Sequence, residues 1–205
     1  MTQRKSHWEN VHAAKKPDEV SWHRTHLEKS LELIRATGVG KDAQIIDVGS
    51  GASTLVDDLL TDGFKHITVL DISAAAFNTT QARLAERAKN VTWLEMDVTR
   101  ASLPANHYDV WHDRAVFHFL TDPEDRRHYV NVVNHALKPG GHIIVATFGP
   151  HGPLKCSGLD TVRYTPEQLH NEFGASYELT RTFTEDHVTP SEKHQEFVYC
   201  YCRKR

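Results

Sequence analysis

The stretch Gln44-Ile45-Ile46-Asp47-Val48-Gly49-Ser50-Gly51-Ala52-Ser53-Thr54-Leu55 decides how this chain folds. Gln44–Val48 is a short apolar run that ends in two glycines, and Ser53 is a helix-capping residue placed just before Leu55, Val56, Leu59 and Leu60. A strand, a glycine turn and a helix in immediate succession are the first unit of a parallel sheet. The same order repeats downstream. Ile67–Leu70 and Val91–Glu95 read as the next strands, with an Ala-rich helix over Ala74–Ala88 between them. Tyr108–His112 reads as a fourth strand. Pro123 opens a helix running to Leu137, Lys138-Pro139-Gly140-Gly141 closes it, and His142–Phe148 is a fifth strand. A helix over Pro166–Phe173 precedes two alternating runs, Tyr177–Thr184 and Gln195–Cys202, which read as an antiparallel hairpin at the end of the sheet. Upstream, Leu27–Ala36 is a helical pattern, and the polar stretch before Arg24 shows no clean period. The expected fold is α/β: a Rossmann-like, doubly wound sheet, mostly parallel with an antiparallel C-terminal hairpin and helices on both faces.

The chain has 205 residues, 39% hydrophobic and 25% charged, with a formal net charge of −3. That is one domain of ordinary size, expected to span 1–205. Near-neutral charge argues against a nucleic-acid binder that works by phosphate neutralisation. No apolar run approaches the ~20 residues of a membrane span, and Met1–Asn10 shows no secretory signal. Three cysteines, an odd number, point to a reducing, cytoplasmic setting. Fifteen histidines raise the question of a metal. They scatter, apart from His23 and His26, with no His-x₃-His or Cys-x₂-Cys spacing, so no metal site is expected.

In an open parallel sheet a ligand binds beyond the carboxyl ends of the strands, where strand order reverses. Asp47 to Gly51 lies at such an end, and Gly49 and Gly51 admit a ligand close to the backbone. Asp71, twenty residues past Gly51, is placed to accept hydrogen bonds from both ribose hydroxyls. A dinucleotide fingerprint requires a third glycine, where this chain has Thr54, which disfavours a nicotinamide-dependent oxidoreductase.

At these residues the chain resembles the class I S-adenosylmethionine-dependent methyltransferases. Asp47-Val48-Gly49-Ser50-Gly51 is similar to that family's first motif, Leu70-Asp71-Ile72-Ser73 to the second and Met96-Asp97-Val98 to the third. Leu137-Lys138-Pro139-Gly140-Gly141 is similar to the turn before the family's fifth strand. The resemblance implies S-adenosylmethionine as cofactor. Gly49 and Gly51 would line its methionyl part, with Asp47 toward the amino group. Asp71 would hold the ribose and Ile72 would pack on the adenine. Asp97 would accept from the adenine amine, with Met96 or Val98 beside the ring.

The reacting end should lie after the fourth strand, at Trp111-His112-Asp113-Arg114-Ala115-Val116-Phe117-His118. The Asn/Asp-Pro-Pro-aromatic motif of amino-methylating enzymes is not there, which argues against a nucleobase substrate. An Arg directly after the acid is similar to thiopurine- and thiol-type S-methyltransferases. The first and second motifs are also similar to methyltransferase-like protein lysine methyltransferases. His118, Asp113 and Arg114 are therefore the expected catalytic residues, with His118 the candidate general base. On the substrate side the candidates are Trp22, Cys156, Arg163, Tyr164 and His187, joined by Trp8 and His23. A Gly/Pro-rich loop over residues 149–165 is the expected substrate loop. Residues 1–26 are the expected covering segment, in which Trp8 and Trp22 either form a lid or anchor the N-terminus. The expected function is methyl transfer to a small-molecule nucleophile, a thiol or other soft acceptor being favoured because a thiol needs little base assistance. A protein lysine acceptor and a non-catalytic cofactor-binding module are the alternatives. The oligomeric state is not legible.

Overall fold

A computed structural model describes residues 3–14 and 19–205; residues 1, 2 and 15–18 of the expected covering segment lie outside the described residues. In chain order the elements are α1 (Gln3–Ala14), α2 (Glu28–Ala36), β1 (Gln44–Val48), α3 (Leu55–Thr61), β2 (His66–Asp71), α4 (Ala74–Leu84), β3 (Val91–Glu95), β4 (Tyr108–Arg114), α5 (Pro123–Ala136), β5 (Leu137–Phe148), β6 (Lys155–Cys156), β7 (Leu159–Asp160), α6 (Pro166–Phe173), β8 (Tyr177–Val188) and β9 (His194–Lys204). Seven strands form one sheet in the order β3-β2-β1-β4-β5-β9-β8. β1 to β5 run parallel, and β9 pairs antiparallel with both β5 and β8. The hairpin expected at the sheet's end is there, but it is turned inward: its second strand is the one that touches β5.

The strands bury alternate residues into two apolar clusters, as a sheet covered on both faces requires. Ile45, Val110, Ile144, Phe197 and Tyr199 pack toward α2, α3 and α4. Ile46, Trp111, Val145, Val198 and Cys200 pack toward α5 and α6. Strand order reverses between β1 and β4, so the loops after those two strands flank one crevice.

Local chemistry fixes the element ends. Asp122 accepts from Glu124 N–H ahead of Pro123 at the start of α5, and Thr165 with Gln168 forms a full capping box on α6. Ser53 Oγ accepts from Leu55 N–H at 3.2 Å, as its position suggested, although Thr54 is the N-cap residue of α3. Three expectations need correcting. The helix after Ser73 ends at Leu84 because Ala85 adopts φ 50°, and residues 85–90 continue as a 3₁₀ turn. β5 begins at Leu137, which pairs with Tyr108, and the Pro139-Gly140-Gly141 segment is a bulge inside it. The polar stretch before Arg24 contains α1, a helix with no buried residue and hence no apolar period to read.

Candidate functional site

The crevice beyond the β1 and β4 ends opens into a cavity of about 860 Å³, part of it open to solvent. Toward the β2 and β3 side its walls are Asp71, Ile72, Met96, Asp97 and Val98; toward the β4 side they are Arg114, Ala115 and Val116. Trp8 and Trp22 reach it from the N-terminal segment, and Cys156 and Leu159 from β6 and β7. A smaller adjoining cavity is lined by Asp47, Gly49, Ser50, Trp22, His23, Arg24, His112 and Arg114.

Gly49 and Gly51 have φ of 60° and 54°, a region in which only glycine is unstrained. A Cβ on Gly49 would lie 1.9 Å from Val116 Cγ2, so the β1 and β4 loops touch only because that side chain is missing. Asp71 is buried. Its Oδ2 accepts from Gly51 N–H and its Oδ1 from Ser73 N–H, both at 2.9 Å. Burial pushes its carboxyl up to about 6, against the opposing pull of these backbone donors. Asp97 Oδ1 accepts from Thr99 N–H and Oγ1–H, and its Oδ2 is 3.3 Å from Arg4 Nη1.

α1 closes one side of the cavity. Arg4, Trp8 and His12, spaced four apart and thus on one helical face, line it together. Glu9 accepts from Ala74 and Ala75 N–H at the start of α4, a carboxylate on a helix N-terminus. Arg4 also bonds Asp125 at 2.5 Å, and Lys5 pairs with Glu95. Trp8 meets Trp22 and Phe119 edge to face at 6.0 and 5.0 Å.

At the β4 end, Arg114 donates to Tyr199 OH (3.1 Å) and to Trp22 C=O (3.2 Å), and its guanidinium lies over the Phe197 ring. Asp113 is fully buried and faces inward. It accepts from Val116 and Phe117 N–H and from the Tyr129 hydroxyl at 2.7 Å, and burial raises its carboxyl to about 6. His118 is likewise fully buried, with Nδ1 accepting from Phe148 N–H, and burial pushes it down to about 3. Neither side chain lines the cavity. Of the expected catalytic trio, Arg114 alone lines the cavity, while Asp113 and His118 are buried in hydrogen bonds around the turn after β4.

The substrate-side candidates also divide. Trp22 and Cys156 line the main cavity, Cys156 with its sulfur 3.9 Å from Ser21 Oγ, and His23 lines the smaller one. His187 does neither. Its Nδ1 accepts from Arg24 Nε at 2.9 Å, which leaves Nε2–H to donate to Ser21 C=O at 2.6 Å, and burial lowers it to about 4. It anchors the segment that carries Trp22. Arg163 and Tyr164 lie at a separate depression beside α6, where Tyr164 donates to Glu172 and Arg163 reaches Gly152 C=O. From the 149–165 loop, Cys156 and Leu159 at the β6–β7 tip line the main cavity.

Four residues at the site were not legible. Arg4 and His12 sit on a helix without an apolar stripe. Glu185 pairs with Arg24 and Arg114 across the fold. His112 is joined to Asp47 at 2.6 Å and to Ser30 at 2.8 Å, through a strand register that spacing alone does not reveal. Among the described residues, no group of His, Cys, Asp and Glu is arranged to hold a metal ion.

A crevice at the reversal of strand order, glycines at its floor and an acid at the end of the next strand are features of a class, the class I S-adenosylmethionine-dependent methyltransferase superfamily, to which the chain is similar through a methyltransferase domain. A family model described as a methyltransferase domain matches residues 45–141. The chain is 27% identical to EEF1A lysine methyltransferase 2 of Danio rerio, over 76% of this chain and 63% of that protein. It is 28% identical to a malonyl-[acyl-carrier protein] O-methyltransferase of a Paenibacillus species, over 61% of this chain and 46% of that one. The chain thus spans between about half and two thirds of the length of these curated relatives. Among solved structures, N-methyltransferase NodS of Bradyrhizobium japonicum, in complex with S-adenosyl-L-homocysteine, superposes with a TM-score of 0.69 at 15% identity and covers 98% of both chains. A structure reported for the conversion of a disulfide bond into a thioacetal during echinomycin biosynthesis gives 0.80 at 14% identity, covering 98% of this chain and 92% of that one. At such identities these two establish the fold alone.

The superfamily's cofactor is S-adenosylmethionine, and the residues present fit it. Gly49 keeps open a cradle that a Cβ would block. Asp47 Oδ2 is a buried carboxylate oxygen with no partner, beside the smaller cavity. An unpartnered buried acid is costly unless a donor completes it, and an ammonium group is the donor that suits it.

Proposed function

We propose that this protein is an S-adenosylmethionine-dependent methyltransferase whose acceptor is a small, soft nucleophile, a thiol before others. The cofactor supplies an electrophilic methyl group. In this reading Asp71 takes the ribose hydroxyls, Ile72, Met96, Asp97 and Val98 surround the adenine, and Gly49 with Gly51 lets the methionyl part lie against the backbone. Trp8, Trp22 and Phe119 exclude water from the reacting end, and Arg114 orients an anionic acceptor.

The observation that carries the acceptor class is the wall after β4. There Trp22, Phe119, Cys156 and Leu159 line the cavity beside Arg114, a cation fixed by Tyr199 and the Trp22 carbonyl and flanked by Glu185. Arg4, which also lines the cavity, is paired with Asp97 and Asp125. An apolar wall beside a fixed guanidinium favours a thiolate, because the positive charge lowers a thiol's pKa and apolar contacts suit sulfur. A lysine ammonium must be bound and deprotonated there, and Arg114 would repel it. The similarity to EEF1A lysine methyltransferase 2 supports the protein-lysine alternative, which therefore belongs in the same experiment. A reducing, cytoplasmic setting fits three cysteines of which none forms a disulfide.

The test is methyl transfer from labelled cofactor to a panel of thiols, amines, phenols and a protein extract. Labelled thioether with little labelled protein supports the reading; label confined to protein overturns it. Calorimetry with S-adenosylhomocysteine and with NAD tests the cofactor, and tighter NAD binding would remove it. Asp71→Ala is expected to weaken S-adenosylhomocysteine more than about tenfold, since a carboxylate accepting from hydroxyls is worth at least ~1.5 kcal/mol. Unchanged affinity would show the ribose assignment to be wrong.

A further inference from the structure

Three buried polar residues from three elements form one chain through the floor of the smaller cavity. Asp47 in β1 and His112 in β4 are register partners on adjacent strands, with Asp47 Oδ1 2.6 Å from His112 Nδ1. His112 Nε2 is 2.8 Å from the hydroxyl of Ser30 in α2. All three are almost wholly buried: Asp47 is 2% exposed, His112 1% and Ser30 0%. The arrangement resembles a hydrolytic triad, but its serine is sealed under the helix and cannot meet a substrate. Its open end is the acid, and Asp47 Oδ2 is left without a partner.

We propose that His112 and Ser30 are positioning residues: they lock the Asp47 carboxylate so that Oδ2 is held ready for the ammonium group of the cofactor's amino-acid end. A carboxylate hydrogen-bonded through one oxygen to a ring that is itself fixed has lost its torsional freedom, and only the second oxygen is available. Donation to a carboxylate requires the proton on Nδ1, so Nε2 accepts, and the Ser30 hydroxyl is the donor that sets this tautomer. Such support of a binding group by outer partners is the usual way in which a site is held to sub-ångström tolerance. Were the triad merely structural, burial would favour a partner on both oxygens of the acid. Here one is withheld, and Ser50, which lines the same smaller cavity, has a hydroxyl that is likewise buried and unpartnered. The inference rests on the reading of Asp47 as the residue that meets the cofactor's amine.

The test compares two ligands by calorimetry: S-adenosylhomocysteine, which carries the amino-acid end, and 5′-methylthioadenosine, which lacks it. Wild type should bind both, and Asp47→Asn should weaken the first alone; if Asp47→Asn leaves both unchanged, the underlying reading of Asp47 fails. With that control satisfied, His112→Leu should weaken S-adenosylhomocysteine about tenfold while 5′-methylthioadenosine changes less than twofold. His112→Asn, whose amide can still donate to Asp47, should recover most of the loss. Ser30→Ala, a smaller change that serves if His112→Leu does not fold, should weaken S-adenosylhomocysteine about threefold with 5′-methylthioadenosine unaffected. Equal losses for both ligands would mark a general structural defect and overturn the proposal. So would a His112→Leu or Ser30→Ala protein that binds S-adenosylhomocysteine as wild type does.

Discussion

Gly49 shows how much one missing side chain can decide. The sequence places it at a strand end, and the structure adds that Val116 occupies the space a Cβ would need. Gly49→Ala should therefore lower stability by more than about 2 kcal/mol, combining a left-handed φ with a collision. In a Val116→Ala background the collision with Cγ2 is gone and the loss should fall toward the backbone strain of roughly 1–2 kcal/mol, the remaining Cβ lying 3.2 Å away. Thermal unfolding of the two single variants and the double variant checks this, and additive losses would refute the contact. The acids Asp47 and Asp71 were legible because strand ends announce themselves. His112, Arg4 and Glu185 were not, because each acts through register or tertiary contact that no local pattern encodes.

At the same scale, His118 and His187 titrate below the ordinary histidine value, at about 3 and about 4, because burial disfavours their charged forms. The unfolded chain thus binds more protons than the folded one between roughly pH 6.5 and these values. Each histidine's contribution is complete above pH 6.5 and is lost as pH falls, by up to about 1.4 kcal/mol per unit. Asp71 and Asp113, raised to about 6, act in the opposite sense between about pH 4 and 6. Their buried carboxylates cost stability at neutral pH, and protonation on acidification removes that cost. His187→Gln should accordingly flatten the melting temperature's decline between pH 6.5 and 4, and an unchanged slope would show that His187 does not titrate as described.

Among the elements, α1 and α5 stand at opposite ends of legibility. α5 is announced by Asp122, Pro123 and its apolar face, and its start and end were readable to a residue. α1 buries no side chain. It is held by Glu9 on the α4 N-terminus, by Arg4 on Asp97 and Asp125, and by Trp8 against Trp22 and Phe119. A helix held by surface polar groups is separable from the core that it covers. Glu9→Ala should speed S-adenosylhomocysteine dissociation several-fold while moving the melting temperature of the ligand-free protein by less than about 2 °C, the scale of a sub-kcal change in a chain of this size. Stopped-flow release kinetics beside thermal unfolding distinguish this from a helix that belongs to the core. The β6–β7 hairpin was hidden for a different reason. Two-residue strands leave no alternation to detect, and only Ser157-Gly158, with φ of 49° and 81°, betrays the turn.

For the molecule as a whole, alternation of strands and helices conveyed the layers, the parallel sheet and the crevice, since each follows from local pattern and a handed crossover. The position of β9 did not follow from the pattern. Both hairpin strands alternate, and either one could have paired with β5. β9 is the apolar one, with Phe197, Val198, Tyr199, Cys200 and Cys202 all nearly inaccessible, whereas β8 carries a mostly polar, exposed pattern suited to an edge.

That inversion has a consequence for assembly. β8 precedes β9 along the chain, yet it has no neighbour in the sheet until β9 is in place. From the completion of β5 at Phe148 until His194 and the residues after it are available, the outer side of β5 offers a row of unsatisfied backbone groups with apolar flanks. The finished protein never displays that row, but a nascent or partly unfolded one does, and it is a template for any extended segment. Ending the chain before His194 should therefore give an aggregating product, whereas a chain lacking α1 should stay monodisperse and helical by size-exclusion chromatography and circular dichroism. The interval between those two strands is the part of this protein's life in which a chaperone, or a high concentration of its own kind, would matter most.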